Sequence, residues 1–314
     1  MPEEPLTPQS EEAAAGASLL PAFFFDEGEG WREAPEPLPE EEPVTLNLNG
    51  RELVTMLASP GMRRELAVGF LYGEGILDKL EQLKSLEEDE AGVRIEAEDV
   101  DLGARLFERR ILGSGCGKGV TFLSGLDAFA ESGRPPVAEL PRFPAATIFA
   151  AAAQVYGGGP LYRRTRGTHA AALYTVGGEA LAFAEDIGRH NAVDKVVGSA
   201  LLAGQALRET FLVVTGRISS EMVSKTAKTP IPLIVSKSVP TAMAVRHAER
   251  LRLGVVGRVR RGSLVAFTLP ELIQPAPSEG ADAEVPAAHV GALDPASAGA
   301  ADADDDRPGP ARDA

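Results

Sequence analysis

Three times between residues 180 and 250 the chain runs a short apolar strand into a polar turn with one basic residue, then into a helix. Ala180-Leu-Ala-Phe-Ala passes through Glu185-Asp-Ile-Gly-Arg-His-Asn to a helix with Val193, Val196, Val197, Leu201 and Leu202 on one face. Asn191 is its expected N-cap. Thr210-Phe-Leu-Val-Val-Thr turns at Gly216-Arg217 into a helix starting near Ser219 or Ser220. Pro232-Leu-Ile-Val-Ser meets Lys237-Ser-Val-Pro-Thr, which places Pro240 in a helical first turn. Strands separated by helices need right-handed crossovers, so the sheet must be at least partly parallel and the domain α/β. The junction residues Arg189, Arg217 and Lys237 then emerge along one edge, beside helix N-termini that favour anions.

Upstream, a different rhythm predicts a smaller α+β unit. Val44-Thr-Leu-Asn-Leu-Asn and Glu52-Leu-Val-Thr-Met-Leu form a hairpin closed at Asn49-Gly50. A helix follows Pro60, with Leu66, Val68, Phe70 and Leu71 at its apolar positions, and residues 84–100 predict a helix and a strand. Ala170–Thr175 and Ala180–Ala184 predict another hairpin around Gly177-Gly178. Boundaries fall at 1–43 (an acidic arm), 44–140 (the small unit), 141–274 (the α/β domain) and 275–314 (an acidic tail).

The formal net charge of −15 argues against anion binding until it is divided by region. Residues 1–43 hold twelve acids and one base, and 275–314 hold nine acids and two bases. The body, 44–274, keeps 25 acids against 28 bases. The two tails read as solvated and disordered, with Phe23-Phe24-Phe25 and Trp31 as a docking motif or an idle apolar cluster. No apolar run is long enough to span a bilayer, and Met-Pro-Glu-Glu offers no basic n-region, so a cytoplasmic protein is expected, with neither membrane nor nucleic acid as partner. A single cysteine excludes an intramolecular disulfide and a Cys-rich metal site, and the four histidines show no paired ligand spacing.

Four groups of residues could carry chemistry. Around Gly188-Arg189-His190-Asn191, the residues Asp186, Asp194 and Lys195 suit a polar heterocycle with phosphate: carboxylates accept ring N–H groups, and Arg and Lys meet the phosphate. His190 also suits a general acid or base, and on the alternative reading Asp186 and Asp194 only pair with Arg189 and Lys195. His169 starts an apolar strand, where a structural role competes with a ligand role. Arg258-Val259-Arg260-Arg261-Gly262-Ser263 caps the last hairpin and is either a phosphate clamp or an exposed basic turn. Cys116, in Gly113-Ser-Gly-Cys-Gly-Lys-Gly with Arg109, Arg110 and Lys118 nearby, has the surroundings of an accessible thiolate nucleophile.

Taken together, these segments resemble the formate dehydrogenase accessory sulfurtransferase family, FdhD. The resemblance spans roughly 44–270. It is carried by Glu65-Leu-Ala-Val-Gly-Phe-Leu-Tyr-Gly-Glu-Gly-Ile, the Cys116 loop, Gly167-Thr-His-Ala-Ala-Ala, Glu185-Asp-Ile-Gly-Arg-His-Asn-Ala-Val-Asp-Lys, Gly216-Arg-Ile-Ser-Ser-Glu-Met-Val-Ser-Lys and Pro240-Thr-Ala-Met-Ala-Val. It implies a cytidine-deaminase-like three-layer α/β domain beside the smaller unit, and a homodimer. It also implies a sulfurtransferase that takes sulfur from a cysteine desulfurase as a Cys116 persulfide. The sulfur goes to the molybdenum or tungsten bis-molybdopterin guanine dinucleotide used by formate dehydrogenase. Residues 258–263 match the family's cofactor-binding stretch. His169, Asp186, Arg189, Asn191, Asp194, Lys195, Arg217 and Ser219 are the further positions at which the guanine nucleotide is expected. Many members carry a second loop cysteine where this chain has Gly119, so a disulfide-resolved relay is closed to it. A zinc deaminase, the other activity of that fold, needs more thiol ligands than one cysteine supplies. A cofactor chaperone without persulfide chemistry remains the alternative.

Overall fold

A computed structural model describes residues 16–100, 110–112, 120–122 and 134–275. The first elements correct the expectation of a disordered arm. β1 (Ala17–Asp26) and β2 (Gly30–Pro39) pair antiparallel from Ala17 opposite Pro39 to Asp26 opposite Gly30. Acidic charge does not forbid pairing when the carboxylates stand in water. Local ring contacts add to it: Phe25 and Trp31 lie 5.1 Å apart, and the Arg32 guanidinium sits 4.2 Å from the Phe24 ring centre. Phe23, Phe25 and Trp31 stay largely exposed.

β3 (Glu42–Leu48) and β4 (Arg51–Ala58) form the expected hairpin, with Asn49 and Gly50 both left-handed at φ 51° and 73°. α1 (Arg63–Gly73) follows, then β5 (Leu83–Asp89) and β6 (Gly92–Ala97). The last two are an antiparallel pair rather than the expected helix and strand. Buried Val93, Ile95 and Ala97 alternate with exposed Arg94 and Glu96, a period of two that no helix satisfies. The sheet order is β4-β3-β6-β5, and Leu66, Phe70 and Leu71 of α1 close its core over Val44, Leu46, Leu48 and Ile95. β7 (Arg110–Leu112) pairs antiparallel with β8 (Val120–Phe122).

The larger sheet follows β9 (Phe143–Pro144), α2 (Ala145–Tyr156) and α3 (Pro160–Thr165). Its elements are β10 (His169–Thr175), β11 (Ala180–Asp186), α4 (Arg189–Leu202), β12 (Thr210–Val214), α5 (Ser220–Lys228), β13 (Leu233–Ser236), α6 (Ala242–Arg250), β14 (Gly254–Arg260) and β15 (Ser263–Thr268). β16 (Ile273–Gln274) returns to pair with β9. The order is β11-β10-β12-β13-β14-β15, parallel across β12, β13 and β14 and antiparallel outside them. Alternation along β10 divides the core. Ala171 and Leu173 pack toward Val193, Val196, Met222 and Ala244 of α4, α5 and α6, while Ala172 and Tyr174 pack toward Ile148, Ala152 and Val155 of α2.

Two helix starts differ from expectation. Gly188, not Asn191, is the N-cap of α4, and Pro240 precedes the α6 cap, Thr241, whose Oγ1 accepts the Ala244 N–H at 3.2 Å. The two sheets are joined through α1 and α4, whose backbones touch. A Cβ on Gly198 would fall on the Glu65 carbonyl oxygen, and one on Gly69 would fall on that of Asp194.

Candidate functional site

β11, β12 and β13 run in one direction, so their carboxyl ends and the start of β10 at His169 share an edge. Local hydrogen bonds stitch the turns there. Ser236 Oγ donates to the Gly216 carbonyl at 2.7 Å and accepts the Ser238 N–H at 3.0 Å, and the Arg258 N–H donates to the Ser238 carbonyl at 2.9 Å. Gly257 permits that approach, since a Cβ would lie 2.8 Å from the Ser238 oxygen. The β14–β15 hairpin is thereby held at the same edge, with Val259 buried as its anchor and Arg258, Arg260, Arg261, Gly262 and Ser263 exposed. Arg217 is exposed too, and Ser219 caps α5, its Oγ accepting the Met222 N–H at 3.4 Å.

Behind this rim lies a tighter cluster. Gly216 leaves the space in which Arg189 and His169 meet, because a Cβ there would be 3.1 Å from Arg189 Cδ and 3.6 Å from His169 Nδ1. Arg189 Nε and His190 Nε2 are buried without a hydrogen-bond partner, and His190 Nε2 lies 3.5 Å from Glu221 Oε2. Burial, reinforced by Lys225, Arg189 and His169, pushes the His190 imidazole down to about 3. Burial is the leading cause, so His190 is neutral at neutral pH and is no resting general acid. Burial also lowers His169, with Arg189 and Lys237 adding to it, and raises Glu221 against the pull of Arg189. A buried guanidinium nitrogen without an acceptor, among further cations, makes this edge complementary to an anion.

Three expected ligand residues serve a different purpose. Asp186, Asp194 and Lys195 are 0%, 2% and 1% exposed. Asp186 Oδ2 meets Lys195 Nζ at 2.8 Å and accepts the Ser59 N–H at 3.0 Å, while its Oδ1 accepts from Gly188 N–H and Asn191 Nδ2. Lys195 also donates to the Ser59 carbonyl, and Asn191 Nδ2 to that of Leu57. Asp194 receives Lys225 Nζ at 2.6 Å, with Glu74 of the small unit 3.3 Å from the same nitrogen. The pairing alternative weighed from the sequence holds in kind, with Lys195 and Lys225 as the partners. These groups tie the small unit to the edge, and their buried charges need internal partners.

Glu221, Lys225, Glu74 and Ser59 were missed, because each meets its partner across more than 25 residues of sequence. Glu221 alone left a trace, as an acid in the first turn after a serine cap. Cys116 lies outside the described residues, between β7 and β8. Among the described residues no cluster of His, Cys, Asp and Glu could hold a metal, and no helix is long and apolar enough to cross a membrane.

Comparison with known proteins gives this arrangement a lineage. The sulfur carrier protein FdhD of Bacillus subtilis is 36% identical over 237 residues, covering 74% of this chain and 89% of its own. The Thermoplasma acidophilum protein of the same name is 32% identical over 284 residues, covering 84% and 96%. The crystal structure of a protein assigned as a formate dehydrogenase accessory protein from Desulfotalea psychrophila superposes with a TM-score of 0.66 at 27% identity, covering 82% of this chain and 99% of that one. The FdhD/NarQ family profile matches residues 39–274, and the chain belongs to that family.

Proposed function

We propose that this protein is a sulfur carrier that matures formate dehydrogenase. In this reading Cys116 takes sulfur from a cysteine desulfurase and passes it to molybdenum or tungsten bis-molybdopterin guanine dinucleotide, which the carboxyl edge of the sheet holds as substrate. The names of the relatives support the first half. The observation that carries the second is the buried, unpaired Arg189 Nε at an edge rimmed by Arg217, Arg258, Arg260 and Arg261. Pyrophosphate supplies the acceptors those donors lack, and the N-terminus of α5 behind Ser219 adds its dipole. Asp186, Asp194 and Lys195 then act by positioning Arg189 and His190 rather than by touching the nucleotide. Glu221 is the carboxylate left at the edge to accept guanine N–H groups. The cytidine-deaminase-like layering, a homodimer and a cytoplasmic location belong to the same proposal.

The sulfur step needs one cysteine. The Cys116 thiolate attacks the outer sulfur of the desulfurase persulfide, an S–S bond forms on Cys116, and the desulfurase thiolate leaves. Onward delivery as sulfide takes two electrons, which a thiol co-reductant supplies. The chain's lack of any other cysteine is therefore no obstacle.

After incubation with a desulfurase and cysteine, intact-mass spectrometry is expected to show a gain of about 32 Da that Cys116→Ser abolishes. No gain in the wild type would favour the chaperone reading. In calorimetric titrations Arg189→Ala combined with Arg217→Ala is expected to weaken GDP binding by at least about tenfold, since two charge-assisted contacts are lost. Equal affinity would remove the nucleotide from this edge.

A further inference from the structure

On the opposite face of the same edge, a small open pocket lies between the end of α2 and the sheet. Tyr156, Gly158, Tyr162, Thr168, Thr215 and Lys237 line it. The Tyr156 hydroxyl is buried and has no hydrogen-bond partner, and burial raises its phenol well above the ordinary range, so it keeps its proton as a donor. The Lys237 ammonium sits 5.5 Å from the Tyr156 ring centre and is otherwise exposed at the mouth.

The two threonines here are already committed. Thr215 Oγ1 accepts the Ala170 N–H at 3.0 Å and donates to the Ala170 carbonyl at 3.3 Å, and Thr168 Oγ1 lies 3.5 Å from Glu185 Oε1. The Glu185 carboxylate accepts the backbone N–H groups of Gly159, Leu161 and Tyr162 at 2.9–3.1 Å. The Tyr156 hydroxyl and the Lys237 ammonium remain as donors, one of them charged, with Tyr162 beside them in the pocket wall. An unpaired buried hydroxyl is destabilising unless something accepts from it.

We infer that Tyr156 and Lys237 form a second anion subsite, which takes one phosphoryl group. Thr168 and Thr215 adjoin His169 and Gly216, so this subsite and the Arg189 cluster lie back to back across the sheet edge. A diphosphate seated at the edge can place one phosphoryl group on each face. The subsite refines the nucleotide half of the proposed function and rests on it only for the identity of the natural ligand.

The test titrates GDP and inorganic phosphate separately into wild type, Tyr156→Phe and Lys237→Ala by calorimetry, with thermal unfolding in parallel. Both variants are expected to bind both ligands about tenfold more weakly, equivalent to about 1.4 kcal/mol. Tyr156→Phe is expected to unfold at or above the wild-type temperature, because it removes a hydroxyl that bonds to nothing. If GDP binds wild type and both variants equally, the subsite is overturned while the nucleotide reading stands. If GDP fails to bind wild type but phosphate binds and is weakened by Lys237→Ala, the subsite stands and the nucleotide reading falls. Failure of both ligands on wild type overturns both.

Discussion

Lys225→Met is expected to destabilise the protein by about 3–5 kcal/mol, a fall in unfolding temperature on the order of 10 °C. Lys225 Nζ is held by Asp194 Oδ1 and Oδ2 at 2.9 and 2.6 Å and by Glu74 Oε1 at 3.3 Å, and it stands 4.9 Å from the centre of the Phe70 ring. Burial works against its charge, but the two carboxylates prevail and raise its pKa above the ordinary value. Burial pushes Asp194 the other way, up to about 6, even with Lys225 in contact. Removing the ammonium leaves the buried Asp194 carboxylate without its cation and beside the Glu74 carboxylate, so Asp194 must take a proton or bring in water. Adding Asp194→Asn to Lys225→Met should recover part of the loss by removing one uncompensated charge. Chemical denaturation of the three proteins checks this, and a single-variant loss below about 1 kcal/mol would show that water already screens the site.

Gly198→Ala is expected to be the next most damaging change, for a reason without charge. The added methyl would fall on the Glu65 carbonyl oxygen and lie 2.9 Å from the Gly69 nitrogen, and neither backbone atom can rotate away. α1 and α4 must then separate, which loosens Leu66 and Phe70 on one side and Val197 on the other. Overpacking of this kind costs about 1–3 kcal/mol, occasionally more. Gly28→Ala is the control, since a Cβ there meets nothing within 4 Å. If the two variants unfold at the same temperature, the helix contact is looser than the structure has it.

Much of the edge was legible in advance. Apolar runs followed by Gly-Arg or Lys-Ser turns dictate crossovers, and crossovers place Arg189, Arg217 and Lys237 together whatever the side-chain packing. The Asn49-Gly50 turn was equally readable, because few residues adopt two successive left-handed conformations. The hairpin of residues 17–39 was not. Its composition reads as solvated, and pairing there depends on backbone hydrogen bonds and ring contacts that composition does not report. Nor was the fate of the densest ionisable segment, 185–195. It signalled a ligand site by residue type, yet five of its side chains, those of Glu185, Asp186, Asn191, Asp194 and Lys195, bond to the protein itself.

By itself the sequence determined an α/β sheet with one basic edge, a single candidate nucleophile at Cys116, and a body whose mild positive charge is masked by acidic termini. These follow from local propensity and from counting, which need no partner. Only the tertiary structure decided which charges face the ligand and which brace the fold. Asp186 and Lys195 find Ser59, and Asp194 finds Lys225, across long stretches of sequence, whereas Arg189 Nε and the Tyr156 hydroxyl find no acceptor. Burial makes an ion pair or an orphaned donor consequential, and burial is a property of the assembled chain.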